Sequence, residues 1–121
     1  MLSFEDFKLT TPLSNALEDL GFTEPTPIQE AAFNVLCAGK DVVGIAQTGT
    51  GKTLAYSLPI LRNLTYTNQE NPRILILVPT RELVVQVVDS LEALNVYTNN
   101  RVLGVYGGTN INTQKQQISE G

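Results

Sequence analysis

One cysteine, Cys37, is all that the 121 residues contain, so no internal disulfide can form and the fold must be held without covalent cross-links. The expected setting is a reducing, cytoplasmic one, with Cys37 as a small apolar filler. No apolar run approaches the ~20 residues that a membrane-spanning helix needs. The N-terminus also lacks the basic-then-apolar layout of a secretory signal, so no membrane partner is expected. Repeats and low-complexity tracts are missing, which leaves one domain or part of one. Positive charge is scarce: Lys and Arg total 8 against 12 Asp and Glu, a net charge of -4. That balance argues against a surface drawing in nucleic acid by bulk attraction, and any such partner must be held locally.

What is present alternates in a readable way. Thr11 and Pro12 open a predicted helix with Leu13, Ala16, Leu17 and Leu20 on one face, stopped by Gly21. Thr26 and Pro27 open a second, with Ile28, Ala31, Ala32, Val35 and Leu36 as its apolar face and Gly39 at its end. Then come a short apolar strand at 42–46, a helix at 52–64 with Pro59 inside it, a polar loop, and a second strand at 74–78, apolar throughout. Thr80 caps a helix bearing Val84, Val87, Val88 and Leu91, a third strand spans 101–106, and Gly107 and Gly108 turn into a last polar helix. Strand and helix in alternation imply right-handed crossovers: an α/β fold, a parallel sheet with helices on both faces.

The chemistry sits where the first strand meets its helix, in Ala46-Gln47-Thr48-Gly49-Thr50-Gly51-Lys52-Thr53. A loop closing on a polyphosphate turns its backbone N–H groups inward, which needs glycine where a Cβ would block the ligand. Gly49 and Gly51 meet that need. Lys52 brings a point charge for the phosphates, Thr53 a hydroxyl for Mg²⁺, and the helix an N-terminus worth about half a positive charge. Three contributions converge on one anion.

Four motifs in order then resemble the DEAD-box RNA helicases. Gly21-Phe22-Thr23-Glu24-Pro25-Thr26-Pro27-Ile28-Gln29 resembles their Q motif, and the cradle from Ala46 to Thr53 their motif I, where Ala in the first position is normal. Pro79-Thr80-Arg81-Glu82-Leu83 resembles motif Ia, and Gly107-Gly108 the GG doublet. The resemblance implies a RecA-like P-loop NTPase core, with residues 1–39 as a Q-motif helical region and 40–121 as a partial RecA-like core. It implies that ATP is bound with Mg²⁺, Phe22 stacking on adenine, Glu24 near the exocyclic amine and the Gln29 amide reading the base edge. It implies that Pro79, Thr80, Arg81, Gly107 and Gly108 line the path of an RNA backbone, without reading sequence. Phe4 matches an isolated upstream aromatic of the family.

Local chemistry offers plainer roles beside these. Gln29, three residues after Thr26, also completes a capping box. Phe4 also reads as simple packing, and the glycine pair as a turn after a strand. Arg81 at a helix start is poorly placed for the helix dipole, where an acid is preferred, and that mismatch points to a ligand.

Hydrolysis needs a carboxylate at the end of an apolar strand to hold Mg²⁺ and place the attacking water. No four apolar residues of a predicted strand end in Asp or Glu here: Asp89 lies on a predicted helix and Asp41 precedes its strand. By resemblance the carboxylates, further sheet strands and a second RecA-like domain lie outside these residues. The expectation is therefore a helicase segment that binds nucleotide and is inactive alone, with unpaired strand edges that favour swapped or non-native oligomers. A non-catalytic adenine-nucleotide or RNA-binding module, and another P-loop enzyme such as a kinase or GTPase, are the alternatives.

Overall fold

Residues 3–47, 51–64 and 71–121 are described by the structure, a computed structural model. A 3₁₀ turn, Phe4–Phe7, leads into five helices: α1 (Thr11–Asp19), α2 (Pro27–Cys37), α3 (Lys52–Asn63), α4 (Arg81–Leu94) and α5 (Ile111–Ser119). The last two begin at side-chain caps. The Thr80 hydroxyl accepts from the Leu83 N–H at 3.2 Å, and the Asn110 side-chain oxygen Oδ1 accepts from the N–H groups of Asn112 and Thr113. For α1 the cap is Thr10 and not Thr11, since a proline fits the second helical position as well as the first. Pro59 leaves α3 unbroken and is itself fully buried, so the lost backbone bond is offset by packing.

The core joins the N-terminal turn to the helices. Phe7 stacks on Phe33 with ring centroids 4.0 Å apart, and Phe4 meets Phe7 edge-on at 5.7 Å. Leu13, Leu17, Leu54, Leu58 and Leu94 complete the buried cluster. This packing turns α2 away from the face expected for it: Gln29, Ala32 and Phe33 are buried, while Ala31 and Val35 are exposed. The physical reason is area, because burying the Phe33 ring against Phe7 outweighs burying the smaller Val35. Phe4 takes the packing role open to it. Polar ties reinforce the arrangement: Arg62 Nε donates to the Lys8 carbonyl at 3.1 Å, and Asn63 Nδ2 to the Cys37 carbonyl at 3.0 Å. Cys37 is half-buried, and desolvation raises its thiol pKa against the opposing pull of Arg62.

The three segments expected as strands behave differently on their two faces. Val43 and Ile45 are 91% and 92% exposed, and Leu75 and Leu77 are 81% and 83% exposed, whereas Ala46, Ile76, Val78, Val102, Gly104 and Tyr106 are half-buried. Alternation with a period of two is the mark of a pleated, extended chain with one face covered. Among the described residues, however, no strand ladder joins these segments. The segments at 42–46 and 74–78, expected to pack as strands, thus each leave one apolar face bare within these residues. Residues 74–78 and 101–105 line a cleft of about 460 Å³ together with Val84, Val87, Val88 and Leu91 of α4. Ile118 of α5 lines the same cleft and a second cavity shared with Leu75, Leu103 and Val105. Helices α4 and α5 thus both border the third segment.

Gly104 sets how closely that segment approaches α4. A Cβ there would lie 2.8 Å from Val88 Cγ2 and 3.0 Å from Val84 Cγ1. Valine side chains are stiff and cannot swing aside. Gly104→Ala is expected to destabilise the domain by about 1–3 kcal/mol, the usual cost of overpacking, read as a lower urea midpoint with an unchanged slope.

Candidate functional site

The site is built around the start of α3. Gly51 is its N-cap residue and adopts a left-handed backbone, φ 82° and ψ 31°. The Gln29 side chain reaches it across 22 residues of sequence: Gln29 Nε2 donates to the Gly51 carbonyl at 3.2 Å. The other end of the same amide accepts from the Thr26 N–H at 3.0 Å, the capping-box contact expected from spacing alone. Gln29 is only 3% exposed. A single amide therefore holds the beginning of α2 and the beginning of α3 together, while one N–H and one lone pair stay uncommitted among these contacts. A Cβ on Gly51 would sit 2.4 Å from Gln29 Nε2, so the close approach exists only because the residue is glycine. The Thr26 hydroxyl is buried beside it with no hydrogen-bond partner among the described residues.

Lys52 and Thr53 follow as the first residues of α3, Lys52 exposed and Thr53 half-buried. The N–H groups of this first turn have no partners within the helix, so cation, hydroxyl and helix dipole share one end. Ala46 is half-buried and Gln47 exposed at the close of the 42–46 segment, which approaches α2 so that a Cβ on Gly44 would lie 3.3 Å from Ile28 Cδ1. Thr48, Gly49 and Thr50 lie outside the described residues. Phe22 leaves α1 with its N–H donated to the Leu17 carbonyl at 3.1 Å, and its ring is 46% exposed; Glu24 is exposed too. No group of three or more Asp, Glu, His or Cys residues able to hold a metal occurs among the described residues. A magnesium ion at this end of α3 would have the Thr53 hydroxyl and the ligand's own phosphates, which suits an ion that dehydrates reluctantly.

A second group gathers at the start of α4. Pro79, Thr80 and Arg81 are exposed, and Arg81 is the first helical residue. Its guanidinium lies over the Tyr106 ring, 4.7 Å from the centroid, and Nη1 is 3.8 Å from where a Cβ on Gly108 would be. Arg81 is thereby brought to the Gly107-Gly108 turn from a distant part of the sequence. The turn is itself fixed, because the Tyr106 carbonyl accepts from the Thr109 hydroxyl at 3.3 Å and from Gln114 Nε2 at 3.0 Å. Tyr106 and Gly104 were not singled out in the sequence; a glycine inside an apolar alternation was the available signal for the latter.

With this geometry in view, comparison with known proteins is decisive. The family model described as DEAD/DEAH box helicase matches residues 26–121. This chain belongs to the DEAD/DEAH box helicase family. It is 42% identical over 120 residues to the ATP-dependent RNA helicase DeaD of Escherichia coli K12, covering 98% of this chain and 19% of that protein. It is 41% identical over 117 residues to the ATP-dependent RNA helicase DRS1 of Candida albicans, covering 96% and 19%. Among solved structures, a DEAD box protein from Methanococcus jannaschii superposes with a TM-score of 0.90 at 30% identity, over 99% of this chain and 33% of that one. The RNA helicase Prp28 from Chaetomium thermophilum, bound to ADP, gives 0.86 at 34% identity, over 100% and 30%. The fold is thus that of the family's RecA-like domain, and the chain spans about a fifth of the length of these curated relatives.

Proposed function

We propose that the intact protein is an ATP-dependent RNA helicase, and that these residues supply its adenine-nucleotide site and part of its RNA-backbone surface. The observation that supports this most is the Gln29 bridge to Gly51. It ties the segment that resembles a base-reading motif to the cap of the helix that receives phosphates. The Gly51 backbone and the first turn of α3 offer N–H groups to the phosphates, Lys52 neutralises them, and Thr53 orients a magnesium ion that supplies charge neutralisation when bound. Phe22 offers an exposed apolar face to the purine. Gln29 offers its uncommitted N–H and lone pair to the adenine edge, a pattern that guanine does not match.

At the second group, Arg81 meets a phosphate, and the Gly107-Gly108 turn lets a backbone pass without side-chain obstruction. Contacts of this kind position RNA and carry no sequence information. Hydrolysis calls on carboxylates outside these residues, so the 121-residue segment alone binds ATP without turnover. The test is ATPase activity with and without single-stranded RNA. In the intact protein RNA is expected to raise turnover, while the segment alone gives none; an intact protein whose ATPase ignores RNA contradicts the helicase reading.

A further inference from the structure

Arg81 stands at the worst end of a helix for a cation, where the dipole repels it. No carboxylate compensates: among the described residues the ion pair is Arg101 with Glu120, at 3.6 Å, and Arg81 has no acidic partner. What faces the guanidinium is the ring of Tyr106, at 4.7 Å. We propose that Tyr106 is the positioning residue of the RNA surface, holding the flat face of Arg81 so that its N–H edge is presented to a phosphate at the Gly107-Gly108 turn. The inference rests on the reading of Arg81 as an RNA contact.

The geometry of a guanidinium makes the division of labour possible. Its π face is attracted by the negative face of an aromatic ring, whereas its five N–H donors lie in the plane and point outward. Stacking on Tyr106 therefore spends none of the donors that a phosphate uses. It also removes freedom from a long side chain before the ligand arrives, which lowers the cost of binding. Tyr106 is in turn anchored, its carbonyl held by Thr109 and by Gln114 of α5, so the ring, the turn and α5 form one support. Only the ring face enters this account, and the hydroxyl plays no part in it.

Affinity of the intact protein for single-stranded RNA, measured by fluorescence anisotropy with an ATP analogue over a range of salt, tests the proposal. Arg81→Ala is expected to weaken binding and to reduce the salt slope by about 0.7, one single-strand phosphate contact. Tyr106→Leu is expected to weaken binding about two- to fivefold, the worth of an exposed cation–π contact. Tyr106→Phe keeps the ring and should match the unaltered protein. In the Arg81→Ala background Tyr106→Leu should cost nothing further, and ATP affinity should be unchanged throughout, which reports an intact fold. If Tyr106→Leu costs as much without Arg81, or Tyr106→Phe is as weak as Tyr106→Leu, the positioning role is overturned while the RNA surface stands. If Arg81→Ala changes neither affinity nor slope, the RNA reading of this surface fails and the proposal falls with it.

Discussion

Lys52→Ala lowers the affinity of the intact protein for ATP by about 100-fold or more, as expected for losing a charge-assisted contact to phosphate worth about 3 kcal/mol. Two features make the effect specific to binding. Lys52 is the first residue of α3 and exposed, with no hydrogen bond or ion pair to other described residues, so its removal leaves no buried group unpaired. Alanine is also the best helix former, so α3 keeps its start. Calorimetric titration with ATP and magnesium should therefore show lost binding with a melting temperature close to that of the unaltered protein. Retained ATP affinity in Lys52→Ala would remove the cation from the cradle.

Gly51→Ala acts through the fold and the site together. Its backbone sits at φ 82°, a conformation that costs an L side chain about 1–2 kcal/mol. The new Cβ would meet Gln29 Nε2 at 2.4 Å, so the buried amide must leave. That displacement strands the Thr26 N–H, which costs about 1–3 kcal/mol if buried without a partner, while the Gly51 carbonyl keeps its bond from the Ala55 N–H at 3.0 Å. A total of about 2–5 kcal/mol is expected in urea unfolding of the domain, together with weaker ATP binding. The mechanism has its own check. Gln29→Ala relieves the clash, so the double variant should lose less than the sum of the two single variants. Strict additivity would show that Gln29 is not what Gly51 makes room for.

How far the sequence foretold this depends on how local each cause is. Thr26, Thr80, Gly21 and Gly39 bounded their helices within a residue or two because caps and stops act on adjacent backbone. The capping-box role of Gln29 was legible for the same reason. The face of α2 was not, because its orientation is decided by Phe7 stacking on Phe33 from the far end of the N-terminal region. The apolar content of 42–46 and 74–78 showed that they pack, yet Val43, Ile45, Leu75 and Leu77 lie bare on one face. Covering a strand depends on elements distant in sequence, which periodicity cannot report. Likewise Gly104 and Tyr106 act across space on α4, and only the fold brings Val88 and Arg81 to them.

The most direct measurement is a calorimetric titration of the intact protein with ATP and, in parallel, with GTP, both with magnesium, for the unaltered protein and for Gln29→Ala. An adenine site joined to a phosphate cradle predicts that ATP binds at least tenfold more tightly than GTP, a difference of about 1.4 kcal/mol. It also predicts that Gln29→Ala narrows that gap. Equal affinity for the two nucleotides, or a preference that Gln29→Ala leaves untouched, would contradict the account.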